Sequence, residues 1–169
     1  MIEFLDVVDH NDKVIGRRPR RECIDNGLLH RAVTIFISNE HGEVFLQKRA
    51  KHLRFYPGRW TASCTGHVSA GESYLLGARR ELREEIGIEC ELRELGKFMT
   101  PKWNLGDGTE WEFITVYEGS WTSKIFLNEE IEEGKFVSPA EFKRIANSSP
   151  GIFTPDLMLA LKYYPRLAG

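Results

Sequence analysis

The chain lacks several features that would have fixed its class at once. No run of about 20 apolar residues occurs, so a membrane-spanning helix is not expected. No internal repeat, low-complexity tract or long linker is present, which excludes a solenoid or an array of modules. Cysteine is scarce. Cys23, Cys64 and Cys90 form no CxxC pair and no zinc spacing, and an odd count fits a reduced, cytoplasmic protein. The opening "MIEFLDVVDHND" has charges inside its short apolar run, so it is not expected to be a signal sequence. Charge of one sign is also lacking. The formal net charge is −2, which gives no global field toward a nucleic acid polymer or a membrane, and neither is expected as a partner.

What is present is ordinary globular material. With 169 residues, of which 41% are hydrophobic and 28% charged, the chain can bury a core and is not expected to be disordered. It is read as one domain over residues 1–169. The charge is locally uneven. "GRRPRRE" and "QKRAKHLRFYPGR" are basic, whereas "NEEIEEG" is acidic. Such runs suit solvated faces, and equally an anionic substrate carried by metal ions.

Alternating and turn-bounded segments predict strands in "EFLDVVDHNDKVIGRR", in a hairpin over "RAVTIFISNEHGEVFLQKRA", and around Trp60–Thr65. Further strands are expected in "ELRELGKFMT", "EWEFITVYEGSW" and "EGKFVS", with "PKWNLGDGT" as a loop. "RRECIDNG" reads as a short helix ending at Gly27. "SYLLGARRELREEIG" reads as the clearest helix, closed by Gly87. Leu75, Leu82 and Ile86 fall within about 40° on its wheel and form a core stripe. "SPAEFKRIAN" and "TPDLMLALKYYP" each open with a capping residue followed by proline. The class is α/β (α+β): a mixed sheet with helices packed on it.

Glu81, Glu84 and Glu85 lie at i, i+3 and i+4, within about a 100° arc of that helix. Three like charges there repel, and Arg80 and Arg83 soften the repulsion only in part. An exposed, salt-bridged face would look the same. A site for divalent metal would make chemical sense of the cluster, because Mg²⁺ takes oxygen ligands. The surrounding spacing decides between them. Gly66 is followed by five residues and Glu72, then by seven and Arg80-Glu81-Leu82, with Glu84-Glu85, Gly87 and Ile88 completing the pattern. This is a full match to G-x5-E-x7-R-E-U-x-E-E-x-G-U, where U is apolar, the Nudix box. The chain therefore resembles the Nudix superfamily.

The resemblance implies an α/β/α sandwich with helices on both sides of the sheet and the box at residues 66–88. It implies that Glu81, Glu84 and Glu85 bind Mg²⁺, with Mn²⁺ an alternative, and that Arg80 serves the same site. The substrate class it implies is a small-molecule diphosphate, of a nucleoside, a sugar or another organic group. Which carboxylate acts as base stays open. Gly66 and the "HVSAG" loop are expected to make a sharp strand-to-helix connection. Gly71 is expected at positive φ, and Glu72 is expected to pair with Arg80.

The flanks resemble the branch that contains type I isopentenyl diphosphate isomerase and bacterial Nudix hydrolases. On that resemblance, His30, His67, Glu110 and Glu112 match metal-binding positions, Glu112 also a catalytic one, and Arg49 and Arg20 match diphosphate-binding ones. His30 and His67 read more readily as structural histidines than as metal ligands. Glu110 and Glu112 are expected on one face of one strand. The isomerase thiol position is occupied by Thr65, with Cys64 one residue off, and its tryptophan position by Asp156. These departures favour hydrolysis of a diphosphate over alkene isomerisation, with an inactive binding module as a third reading. Cys64, Phe55, Tyr56 and Trp60 are expected in the core. The oligomeric state, a dimer included, stays open.

Overall fold

The computed structural model describes residues 2–168. Nine strands form one mixed sheet: β1 (Phe4–Val8), β2 (Val14–Pro19), β3 (His30–Ser38), β4 (Val44–Arg49), β5 (Trp60–Thr61), β6 (Cys64–His67), β7 (Arg93–Met99), β10 (Glu112–Ser120) and β11 (Ile131–Val137). A separate two-stranded hairpin joins β8 (Trp103–Asn104) to β9 (Thr109–Glu110). The helices are α1 (Arg20–Asn26), α2 (Tyr74–Ile86), α3 (Pro139–Ser148), α4 (Pro155–Ala160) and α5 (Pro165–Ala168).

β3 organises the molecule. It is apolar along nearly its whole length because both of its faces are covered. Ala32 and Phe36 point into a core with Ile114, Val116, Phe142, Leu157 and Tyr164, which brings in α3 and α4. Val33, Ile35 and Ile37 point the other way, onto Ala78, Leu82 and Ile86 of α2. Helices therefore lie on both sides of the sheet, as expected. The parallel pairing of β10 with β3 and the antiparallel pairing of β10 with β7 make the sheet mixed.

Several local readings need correction. The β3–β4 hairpin turns at Asn39–Gly42, but its strands pair only at Ser38 and Val44 and then diverge. β6 takes the vacated edge of β3 from Ala32 to Ile35. Ser63 closes the gap, accepting from Ile37 N (2.7 Å) and donating to Phe45 O (2.6 Å). "PKWNLGDGT" holds the β8–β9 hairpin instead of a plain loop, so Glu110 and Glu112 sit on different strands. Ser138 caps α3 by accepting from Glu141 N, whereas Thr154 does not cap α4. Its hydroxyl goes instead to Thr61 Oγ1 at 2.9 Å, tying α4 to β5. α4 stops at Ala160 and tightens into a 3₁₀ turn. Among the described residues no helix is long and apolar enough to cross a membrane.

Candidate active site

Helix α2 starts at Ser73, whose hydroxyl accepts from Leu76 N, and ends at Gly87 in the left-handed conformation. Its buried stripe (Ala78, Leu82, Ile86) fixes the rotation of the helix, and that rotation sets the neighbouring stripe against the free edge of β6. Glu85 Oε2 accepts from Gln47 Nε2 (2.7 Å) and from Thr65 N (3.4 Å). Arg80 donates to the His67 carbonyl (2.9 Å). The outward edge of β6 is thus bonded to side chains of α2.

Between those two contacts lies Gly66, and the carboxylate of Glu81 rests on its α carbon. A Cβ there would stand 2.2 Å from Glu81 Cδ. The glycine is required by this non-local approach, and not by a sharp turn as the sequence suggested. Gly71 does take positive φ, at 84°. Gly66→Ala should leave the fold in place, since a flexible carboxylate can move, but should displace Glu81. Turnover is expected to fall by about 10- to 100-fold, with the melting temperature within about 2 °C of the parent. A fully active Gly66→Ala would show that the position of Glu81 does not matter.

One guanidinium organises the box. Arg80 reaches both oxygens of Glu72 (3.0 Å each), Glu81 Oε1 (2.8 Å) and Glu84 Oε2 (3.2 Å). Glu81 and Glu85 are buried, whereas the Glu84 side chain is 58% exposed. Burial, then the charge of Glu85, pushes the Glu81 carboxyl up to about 8. Burial pushes Glu85 up to about 7, against the hydrogen bond from Gln47. Buried, mutually repelling carboxylates with free oxygen lone pairs fit a hard divalent cation such as Mg²⁺.

A second constellation lies across β6. The register sets His30 beside Glu112 on β10 and His67 opposite Ala32. His30 Nε2 and His67 Nε2 stand 3.5 and 3.3 Å from Glu112 Oε1, and the imidazoles stack at 5.2 Å. One ligand atom from each residue lies within 4.8 Å of the others. His30 Nδ1 is 2.7 Å from Leu28 O and donates to it, which leaves Nε2 facing the cluster. That Nε2 is buried without a hydrogen-bond partner among the described residues. Burial opposes ionisation of Glu112, but the two imidazoles outweigh it and hold the carboxyl below its ordinary range. Burial and then Arg20 push His67 down. Two imidazole nitrogens and a carboxylate, one ring fixed by a carbonyl behind it, fit a borderline metal ion.

Glu81, Glu84 and Glu85 line one cleft of about 840 Å³ with His67, Glu112, Arg20, Arg49 and Glu110, whereas the buried His30 does not line it. The family model for the NUDIX domain matches residues 28–157. This chain belongs to the Nudix family. It is 32% identical to an isopentenyl-diphosphate Delta-isomerase of Photorhabdus laumondii, over 91% of this chain and 88% of the relative. It is 35% identical to an uncharacterized Nudix hydrolase of Pseudomonas aeruginosa, over 96% and 93%. The crystal structure of a Deinococcus radiodurans protein superposes with a TM-score of 0.76 at 26% identity, covering 96% of this chain and 99% of that one.

Within this Nudix cleft some expectations are redrawn. Arg49 and Arg20 line it, but each already has a protein partner: Arg49 Nε donates to Phe55 O (3.0 Å), and Arg20 pairs with Glu3 (3.3 Å). Phe55 and Tyr56 line the cleft and are only partly buried, while Cys64 is fully buried and turned to the α2 core. Burial pushes the Cys64 thiol well up. Cys23 is buried with its thiol on Arg18 O (3.9 Å), outside the histidine group. Sequence reading did not single out Arg17, Thr34 and Glu130, which line the cleft, and it named Asp156 only as a departure from the isomerase pattern, although it lines the cleft too. Arg17 and Glu130 carried a signal, as parts of the basic and acidic runs.

The raised carboxylates set a pH dependence. The unfolded chain releases the protons of Glu81 and Glu85 near 4.5, whereas the fold holds them until about 8 and about 7. Glu110, raised to about 8 by burial, Glu112 and Asp156, acts in the same direction. The native state then binds more protons than the unfolded one, so stability falls as pH rises through this range. His67, pushed below 6.5, slopes the opposite way below that value. The His67 contribution fades as pH rises past 6.5, and the carboxylates dominate from there to pH 8. Metal-free protein should melt lower at pH 8 than at pH 6.5, and Mg²⁺ should remove most of the difference. A melting temperature that rises over this interval without metal would contradict the arrangement.

Proposed function

We propose that the protein is a divalent-metal-dependent hydrolase that cleaves the P–O–P bond of an organic diphosphate. The observation that carries this reading is the buried Glu81/Glu85 pair, with Glu84 beside it, facing an open cleft beneath a fixed Arg80. Glu81, Glu84 and Glu85 hold the metal, Mg²⁺ or else Mn²⁺. When bound, the metal neutralises the diphosphate and acidifies a water. Arg80 fixes Glu72, Glu81 and the β6 edge. Arg49 and Arg20 add positive charge for the phosphates. A carboxylate in the cleft accepts the proton of the attacking water, and Glu112 is the candidate outside the box that stays ionised.

A second reading is isomerisation of an alkenyl diphosphate. The His30/His67/Glu112 cluster favours it, with Glu110 nearby as a further ligand candidate. Against it stands the missing acid. Thr65 lines the cleft where a thiol would be needed, and Cys64 faces the core. An alcohol is a far weaker acid than a thiol.

A phosphate-release screen of nucleoside, sugar and prenyl diphosphates with Mg²⁺ and Mn²⁺ tests the choice, run beside an isopentenyl-to-dimethylallyl conversion assay. Metal-dependent release from at least one diphosphate is expected, with Cys64→Ala nearly as active as the parent. Conversion without release would establish the isomerase instead. A thousandfold loss in Cys64→Ala would restore the thiol to the chemistry.

A further inference from the structure

Three segments that wall the cleft come from separate parts of the chain. They are α1, which opens with Arg20, the loop over residues 50–59 with Phe55 and Tyr56, and the β8–β9 hairpin with Glu110. The hairpin is a two-stranded sheet of its own. It meets the main sheet at its base, where Thr100 N donates to Glu112 O (2.8 Å) and Glu112 N donates to Thr100 Oγ1 (2.9 Å).

One guanidinium fastens all three segments from outside. Arg54 Nε donates to Asp107 Oδ2 at the hairpin tip (3.0 Å), and Arg54 Nη2 donates to Asp25 Oδ1 of α1 (2.9 Å). The same guanidinium lies over the Phe55 ring, 5.2 Å from its centroid. Gly108, next to Asp107, is seated against this junction. A Cβ there would stand 2.7 Å from Ile24 Cγ2 of α1 and 2.9 Å from Phe55 Cζ. Arg54, Asp25 and Asp107 themselves lie outside the cleft lining.

The junction reaches the cleft through the groups beneath it. Arg49 Nε is held by Phe55 O, the carbonyl of the residue next to Arg54. Inside the cleft the Tyr56 phenol meets the Glu110 carboxylate, which joins loop and hairpin a second time. Tyr56 has a φ of 49°, a left-handed backbone that persists where the surroundings over-determine it. Arg54, two positions earlier, supplies part of that constraint. Surface ion pairs add little to global stability, so the consequence of this one is local.

We propose that Arg54 is a positioning residue for substrate binding. By clasping α1, the 50–59 loop and the β8–β9 hairpin, it fixes the placement of Arg20 and Arg49 along the cleft wall and leaves the box helix untouched. The inference rests on the reading of this cleft as a diphosphate site.

Calorimetry with Mg²⁺ and methylenediphosphonate, beside amide hydrogen exchange of the metal-free protein, tests it. Arg54→Ala is expected to weaken diphosphonate binding about five- to tenfold, and exchange over residues 50–59 and 101–110 should quicken by a similar factor. The Mg²⁺-induced rise in melting temperature, which reports the box, should match the parent's. The metal-free melting temperature should stay within about 2 °C. On a cleaved diphosphate, KM should rise while kcat stays within about twofold of the parent. Arg54→Lys should keep part of the affinity, because an ammonium can meet one carboxylate but lacks the fork that spans two. Gly108→Ala pries the hairpin tip off the same junction without changing charge. It should weaken the diphosphonate comparably, and the two losses should not add in the double variant. Unchanged diphosphonate affinity in both Arg54→Ala and Gly108→Ala overturns the proposal. Loss of the Mg²⁺-induced rise in Arg54→Ala overturns it as well, since the damage would then extend to the box. Failure of the parent to release phosphate from any diphosphate would sink the hydrolase reading alone, because affinity and exchange are measured without turnover. Failure of the parent to bind methylenediphosphonate overturns both.

Discussion

Glu85→Gln is expected to abolish metal-dependent cleavage while leaving the fold intact. Glu85 is 7% exposed and sits where α2, β6 and Gln47 converge, so its carboxylate is held for the cleft more rigidly than that of the exposed Glu84. Glutamine matches its size, and its single carbonyl oxygen can still accept from Gln47 and Thr65. What it removes is the charge. A loss of about a thousandfold in kcat, about 4 kcal/mol of barrier, is the expected scale for a lost metal ligand. Stability should move the other way. The charge of Glu85 is one of the causes that raise Glu81, so its removal relieves repulsion, and metal-free Glu85→Gln should melt at or above the parent at pH 8. Thermal melts with and without Mg²⁺, paired with turnover, separate the effects: the variant should also lose most of the Mg²⁺-induced rise in melting temperature.

Arg80→Ala should have the largest effect on stability. Its guanidinium makes five bonds, to Glu72 twice, Glu81, Glu84 and the His67 carbonyl. Arg80 and Glu72 are about a quarter exposed, so water screens the pair only in part. Removing the cation leaves Glu81 without its counter-charge and frees the loop that Glu72 anchors. Breaking such a pair from one side costs about 3 kcal/mol, which for a domain of this size lowers the melting temperature by roughly 6–12 °C. Arg80→Lys should recover only part of this, because an ammonium cannot bridge both Glu72 oxygens and the carbonyl in one plane. A drop of less than about 2 °C in Arg80→Ala would show that the network is not holding the box.

The parts of this molecule that could be read in advance are those whose cause is local. Ser73 and Gly87 bound α2 through contacts within a turn of the helix, and Leu82 and Ile86 bury for the same periodic reason. The box could be found because its spacing is fixed, although the reason for Gly66 could not: the group that excludes a side chain there is Glu81, fifteen positions on and in another element. The divergence of β3 from β4 was equally hidden, since it depends on β6 and Ser63 arriving from further along the chain. The cleft shows the same division. His30, His67 and Glu112 were named by resemblance, but the approach of their ligand atoms to within 4.8 Å of one another is a product of the β10–β3–β6 register. Tyr56 looked like a core residue because its loop has no periodicity, and it is turned toward the cleft by a left-handed backbone that no composition signals. Thr34 was lost in an apolar strand whose β-branched pattern it fits.

In the proposed reaction the box carboxylates direct water to phosphorus. Phosphorus NMR of the products formed in ¹⁸O-labelled water with Mg²⁺ tests it most directly. Cleavage of the diphosphate with ¹⁸O in a phosphate product is expected in the parent protein and not in Glu85→Gln. An intact diphosphate whose organic group has changed, with no ¹⁸O on phosphorus, would contradict it.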